Sequence, residues 1–295
     1  MIRILVIGAS GTVGSKVVKV LEQRNDSEYE IVLSTSRNET AKKWMNEGRK
    51  AVVLDLNNPE TFKTALENID RVFLLTGYTA DMLVQSKMLI NAAKDAKVSH
   101  IVHLGTFTSR KDTIPHFIWH DLVENYLATS GIAWTNIHPN VITDTVFGGL
   151  DFKAETINMT SWGDVPQGYA CADDIGEVAG TVLIEGPEKH DKKDYYLSID
   201  VLTESELVKM FEMVTGKQVQ VTQMTKEFMA NIFEQITSPE VRIYMKSAEI
   251  CADLTRNMKF EAQTKLCDDV LTVTGHPGTH MVEWIKDIYK KSLSN

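Results

Sequence analysis

Little in this sequence points toward staples, membranes or polyanions. Only three of 295 residues are cysteine (Cys171, Cys251 and Cys267), an odd number at long spacings. That is neither a disulfide framework nor a zinc pattern, and it fits a reducing cytosol. Glycine and proline supply 17 and 7 residues, which excludes collagen-like and low-complexity chains. Basic residues number 31 against 40 acidic, a formal charge of −9. This balance argues against non-specific nucleic-acid binding and against anionic membrane surfaces. No apolar run approaches the ~20 residues needed to cross a bilayer. The opening Met-Ile-Arg-Ile-Leu-Val-Ile-Gly is too short an apolar run for a signal peptide and leads straight into a strand. A cytoplasmic globular protein is expected, with a small-molecule substrate as partner, no nucleic acid, no membrane, and a homodimer as the assembly to consider.

What is present is alternation. Short β-branched runs predict strands over 4–7, 31–34, 51–54, 72–75, 101–104 and 134–137. Amphipathic stretches predict helices after Gly14 (Val17, Val18, Val20 and Leu21 inward), over 82–96, and over 120–130 up to Gly131. The connections are too long for hairpins, so the fold class is α/β, a Rossmann-type doubly wound parallel sheet. Beyond Asn140 the periodicity weakens until a helix opening at 169–176 and running to about 184. A strand over 194–199 and helices over 204–215 and from 226 onwards follow. Residues 1–140 are read as a dinucleotide-binding domain. Residues 141–295 are read as a smaller substrate-binding lobe interleaved with it, with a cleft between them.

The most informative local pattern is Gly8-Ala9-Ser10-Gly11-Thr12-Val13-Gly14 between a strand and a helix. The first glycine permits a positive-φ turn and the second a close backbone approach to a pyrophosphate. The third lets the helix pack tightly, with its N-terminus facing the anion. The second strand ends in Ser36-Arg37 with no acid before Glu39, which favours a ribose 2′-phosphate and hence NADP(H) over NAD(H). Lys42 and Lys43 stand nearby. Asp55, ending the third strand, suits an adenine amine or the cap of the following Asn-Pro-Glu turn. Thr76, Gly77 and Tyr78, after the fourth strand, should line the ribose side.

The proton chemistry of ordinary short-chain dehydrogenases rests on a tyrosine with a lysine four residues later. None of the eight tyrosines here has lysine at that position. Hydride addition to a quinone, iminium ion or dye cation needs such a donor far less than ketone reduction does. Phe107, Phe117, Trp119, Phe147, Trp162 and Tyr169 fall in segments expected to border the cleft, as pocket wall or as core. His116 and His120 share one helical face. A metal reading lacks further ligands. His276 and His280, separated by Pro277-Gly278, are expected to belong to a structural turn.

Six stretches together resemble one family: Gly8 to Gly14, Ser36-Arg37-Asn38, Asn91-Ala-Ala-Lys-Asp-Ala-Lys-Val98, His120-x-x-x-Glu124, Thr129-Ser-Gly-Ile-Ala-Trp-Thr135 and Gly275-His-Pro-Gly-Thr279. This is the NmrA-like group of atypical short-chain dehydrogenases, in particular its quinone- and triphenylmethane-reducing members. The resemblance implies a Rossmann domain with a small C-terminal lobe and NADP(H). Carried across, Gly8 to Val13, Arg37, Thr76 to Tyr78, and Pro139, Asn140, Val141 and Ile142 contact the dinucleotide. His138 stands where the family more often has arginine. By position, His120 replaces the usual catalytic lysine and His116 the tyrosine, as a general acid or equally as a surface or cofactor-ribose contact. The function implied is NADPH-dependent reduction of conjugated or aromatic acceptors. The alternative is a catalytically silent redox sensor acting through a protein partner. A nucleotide-sugar epimerase is disfavoured by the missing dyad.

Overall fold

The computed structural model describes residues 1–24, 28–109 and 111–294. Its strands are β1 (Ile2–Val6), β2 (Tyr29–Thr35), β3 (Lys50–Val53), β4 (Arg71–Leu74), β5 (His100–Leu104), β6 (Ala133–Pro139) and β7 (Val141–Ile142), then β8 (Thr156–Ser161), β9 (Gln167–Ala170), β10 (Lys193–Ser198), β11 (Asp200–Leu202), β12 (Gln218–Gln223) and β13 (Cys267–Asp268). The helices are α1 (Gly14–Arg24), α2 (Asn38–Asn46), α3 (Phe62–Ala65), α4 (Met82–Asp95), α5 (Pro115–Thr129), α6 (Thr143–Phe147) and α7 (Ala172–Glu185), then α8 (Pro187–His190), α9 (Glu204–Thr215), α10 (Lys226–Gln235), α11 (Pro239–Arg256), α12 (Asp269–Thr274) and α13 (Met281–Ser294).

Eight strands form the main sheet in the order β13-β10-β6-β5-β4-β1-β2-β3, all parallel except β13. The order reverses between β1 and β4, and the crevice beyond the carboxyl ends of those two strands is where open α/β sheets bind ligands. Both faces are covered, so the strands are apolar throughout and alternate between two cores. Ile4, Val6, Phe73 and Val102 face a core completed by α1, α7 and α12. Leu5, Ile7, Val72, Leu74 and Ile101 face one completed by α3, α4 and α5. Each such fully buried aliphatic side chain contributes about 1.5–3 kcal/mol. A third core joins Phe147, Phe152, Tyr169, Phe211 and Trp284 around the small sheets β11-β9-β7 and β12-β8.

The strand positions read from the sequence coincide with β1 to β6, β10 included as the strand over 194–199. The helix expected from 120 begins five residues earlier, because Pro115 sits at its first position with a φ already suited to a helix. The helical stretch expected from 226 onwards opens as two helices, α10 and α11. Ser238 caps the second by accepting from Val241 N–H, and Pro239 supplies its first residue. His276 bonds Glu177 and His280 bonds Asp200, tying the turn at 275–279 to α7 and β11. Among the described residues no helix is long and apolar enough to cross a membrane.

Candidate active site

β1 delivers the chain into a turn at Gly8, whose φ of +68° lies in the left-handed region. The Gly8 carbonyl accepts from Gly11 N–H at 2.8 Å, closing the loop. A Cβ on Gly14 would collide with that same carbonyl, so α1 can start this close to β1 only with glycine there. The result is an exposed crown of Ser10, Gly11 and Thr12 above a helix N-terminus. With no Cβ on Gly11 and the α1 N-terminus beneath, this exposed loop has the shape and polarity that a dinucleotide diphosphate would need. Ser36 and Arg37 are exposed just before α2, and Arg37 makes no ion pair among the described residues. Lys42 is exposed, and Lys43 lies 3.9 Å from Glu47. Asp55 accepts from Asn57 N–H at 2.9 Å, whereas Asn58 caps the turn that follows. The carboxylate is therefore not the helix cap.

Beside the loop opens a cavity of about 560 Å³. Thr12, Val13 and Thr76 to Tyr78 form its end nearest the loop, and Pro139 to Ile142 another wall. Asn140 holds that wall in place. It donates to Ala262 O and Ser198 Oγ and accepts from Gln167 Nε2 at 2.8 Å. Phe107, Phe117, Trp162, Tyr244 and Phe260 supply aromatic surface, and none of the described lining residues is Asp, Glu, Lys or Arg. Of the six aromatics singled out in the sequence, Phe107, Phe117 and Trp162 line this space. Trp119, one residue before His120 on α5, turns toward the core under α4 and α5 instead, its ring tilted 6.2 Å from that of Tyr244. Phe147 and Tyr169 are buried against each other in the third core, 5.8 Å apart. Side-chain alternation and helical phase place those three away from the cavity.

The wall that sequence reasoning missed is α11. Tyr244, Ala248, Cys251 and Thr255 line the cavity at spacings of four, three and four, one face of a helix. That periodicity is visible in the sequence, but nothing local says the face covers a ligand. Tyr244 packs 5.3 Å from Tyr78, joining this cover to the loop after β4.

His116 and His120 both line the cavity. His116 N–H donates to Ser247 Oγ at 2.9 Å, and the Ser247 hydroxyl lies 2.7 Å from Nδ1. With the hydroxyl donating to Nδ1, the ring proton resides on Nε2. Burial lowers His116 to about 4, so it is neutral at pH 7. His120 is driven well below the usual imidazole value by burial first and then by His103, His116 and His138. Its Nδ1 is buried without a partner. Among the described residues no group of three or more His, Cys, Asp or Glu is arranged to hold a metal ion.

The sequence profile of the NmrA-like family matches residues 2–271. The chain belongs to the NmrA-like family. This NmrA-like protein is 28% identical over 230 residues to the NAD(P)H azoreductase of Xenophilus azovorans, spanning 76% of the chain and 78% of that protein. It is 27% identical over 202 residues to the sanguinarine reductase of Eschscholzia californica, covering 51% of the chain and 70% of that protein. Its fold superposes on the triphenylmethane reductase of Citrobacter sp., solved in complex with NADP(H), with a TM-score of 0.78 and 25% identity. That match covers 97% of this chain and 99% of the other.

Proposed function

We propose that this NmrA-like protein passes hydride from NADPH, in preference to NADH, to a planar conjugated acceptor such as a quinone, an imine or iminium compound, or a dye. The chain is an NAD(P)H-dependent oxidoreductase, the class its azoreductase, sanguinarine reductase and triphenylmethane reductase relatives share. The observation carrying the finer reading is the uncharged aromatic cavity that opens directly off the phosphate loop. When bound, the reduced dinucleotide supplies the hydride. The protein's part is to hold the diphosphate on Gly8 to Val13, the ribose against Thr76 to Tyr78, and the acceptor between Phe107, Phe117, Trp162 and Tyr244. Such positioning can lower a barrier by several kcal/mol, roughly 7–11 in the best cases. Neutral His116 offers an Nε2–H to an acceptor oxygen or nitrogen, and His120 stands one turn further along the same helix face. Arg37, exposed and without an ion pair among the described residues, supports the reading of a 2′-phosphate contact.

Purified protein mixed with NADPH and a panel of quinones, imines and cationic dyes should oxidise the dinucleotide with at least one acceptor, followed by loss of reduced-nicotinamide absorbance. Tight dinucleotide binding with no oxidation across the panel would instead favour a redox sensor. Arg37→Asp should cut the NADPH-to-NADH ratio of kcat/KM by roughly tenfold or more, about one charge-assisted hydrogen bond. An unchanged ratio removes Arg37 from the phosphate site.

A further inference from the structure

Behind the cavity wall, four elements bury a set of ionisable groups that hydride transfer alone does not use. His138, on β6, directs Nδ1 at Thr106 O and Nε2 at Asp194 Oδ1, each at 3.0 Å. A carbonyl and a carboxylate both accept only, so both ring nitrogens donate and His138 is an imidazolium. Its ring lies stacked on Tyr196 at 4.5 Å, an arrangement that suits a cation. Glu124, one turn beyond His120 on α5, brings Oε1 to 3.6 Å from His138 Nδ1 and 3.9 Å from His103 Nδ1. Gly105 makes this approach possible. A Cβ there would sit 2.5 Å from Glu124 Oε1 and 3.2 Å from His138 Nδ1, and Gly105 itself lines the cavity. The His103 ring, with both nitrogens unpaired, lies 5.6 Å from the His120 ring.

One imidazolium faces two carboxylates. Asp194, on β10 with its side chain 41% exposed, takes the direct bond and a second from Asn136 Nδ2, and is held below the usual carboxylate range. Glu124 is left with an unpaired buried oxygen. Burial first, together with Asp194 and Asp121, pushes its carboxyl up to about 7 against the opposing pull of His138.

We propose that Glu124, backed by His138 and Asp194, stores the proton that reaches a bound acceptor through His103 and His120. This rests on the reductase reading above. Reduction of a quinone or azo acceptor adds a hydride, whose electron pair the reduced nicotinamide loses, and a proton. His120 Nε2–H passes that proton to the acceptor heteroatom while His120 Nδ1 takes one from His103 Nε2. His103 Nδ1 is refilled from the Glu124 carboxyl. The carboxylate so formed regains its proton from solvent water, Glu124 being partly exposed, while the His138 imidazolium, tied to Asp194 and Thr106, stays protonated beside it. The 3.9 Å between Glu124 Oε1 and His103 Nδ1 closes to hydrogen-bond length with a small rotation of the Glu124 side chain, and the His103 and His120 rings, 5.6 Å apart, must turn toward each other for the second transfer.

A triarylmethyl cation accepts hydride with no proton, so the ratio of quinone to cation reduction isolates the relay. The Glu124→Gln variant should lower that ratio roughly a hundredfold, with Glu124→Asp recovering part of it. In the wild type the ratio should fall as pH rises through about 7. Ligand-free protein should show an infrared carboxylic-acid stretch that titrates in the same range and is missing from Glu124→Gln. A ratio insensitive to both pH and the substitution overturns the relay, as does a neutral-pH spectrum without that band. If wild type reduces neither acceptor while the band is present, the reductase reading falls and the proton store stands.

Discussion

Lowering the pH from 7 to 4.5 should cost about 5 kcal/mol of folding stability through three buried histidines set against one buried carboxyl. The cause is a set of histidines buried in the neutral form. Burial drives His100 to about 4, with Arg71 and His190 adding to it. It drives His103 to about 3, with His138 adding, and His116 to about 4. Above pH 6.5 these rings are neutral in both states and contribute nothing to the pH dependence. As pH falls through 6.5 the unfolded chain takes up protons that the folded chain refuses. By pH 4.5 each ring has forfeited about 2.5 kcal/mol. Glu124 works the other way, because its folded value is raised. Its contribution is full below the unfolded carboxyl value of 4.5 and is lost as pH rises through about 7. Acidification therefore returns roughly 3 kcal/mol through Glu124. The remainder rivals the 5–15 kcal/mol that holds typical domains folded. Urea titrations at the two pH values read it directly, and equal midpoints would mean these rings are hydrated or paired in the folded protein.

Gly14→Ala should weaken dinucleotide binding about a hundredfold, close to 3 kcal/mol. The added methyl falls on the Gly8 carbonyl, which already accepts from Gly11 N–H. Relieving the clash means swinging α1 from the sheet or opening the loop, and either change turns amides from the diphosphate. The cost to folding should be smaller, about 1–3 kcal/mol, as for other overpacked sites. Gly149→Ala is the matched control, since its Cβ would enter open space at a φ outside the left-handed region. Calorimetric titration with NADPH separates the two variants. Wild-type affinity in Gly14→Ala would refute the diphosphate cradle.

These two predictions draw on information of different kinds, and that difference marks how much the amino-acid order alone conveyed. The glycine cradle is local: Gly8, Gly11 and Gly14 span seven residues, and the strand and helix that flank them announce themselves by their own patterns. The same holds for β1 to β6, because strands of a parallel sheet buried on both faces are continuous apolar runs. The position of Arg37 between β2 and α2 is legible for a similar reason, being a matter of counting.

The cavity is another matter. Phe107 and Phe117 were readable as wall candidates, yet Trp119, Phe147 and Tyr169 carried the same aromatic signal and went into cores. Helical phase and side-chain alternation decide which way a ring points, and a shift of one residue reverses it. The α11 cover over the cavity follows from docking, not from its own periodicity.

What the chain determined by itself, then, is the doubly wound architecture, the glycine-rich turn between β1 and α1, the absence of a tyrosine–lysine dyad and the family. Only the tertiary structure joined His103, Glu124, His138 and Asp194, from β5, α5, β6 and β10, behind Gly105. Their meeting depends on strand register and on a sheet completed by β10, which arrives more than fifty residues after β6. An imidazolium acquires its charge, and a carboxyl keeps its proton, from neighbours a few ångströms away in space, a separation that position along the chain does not encode.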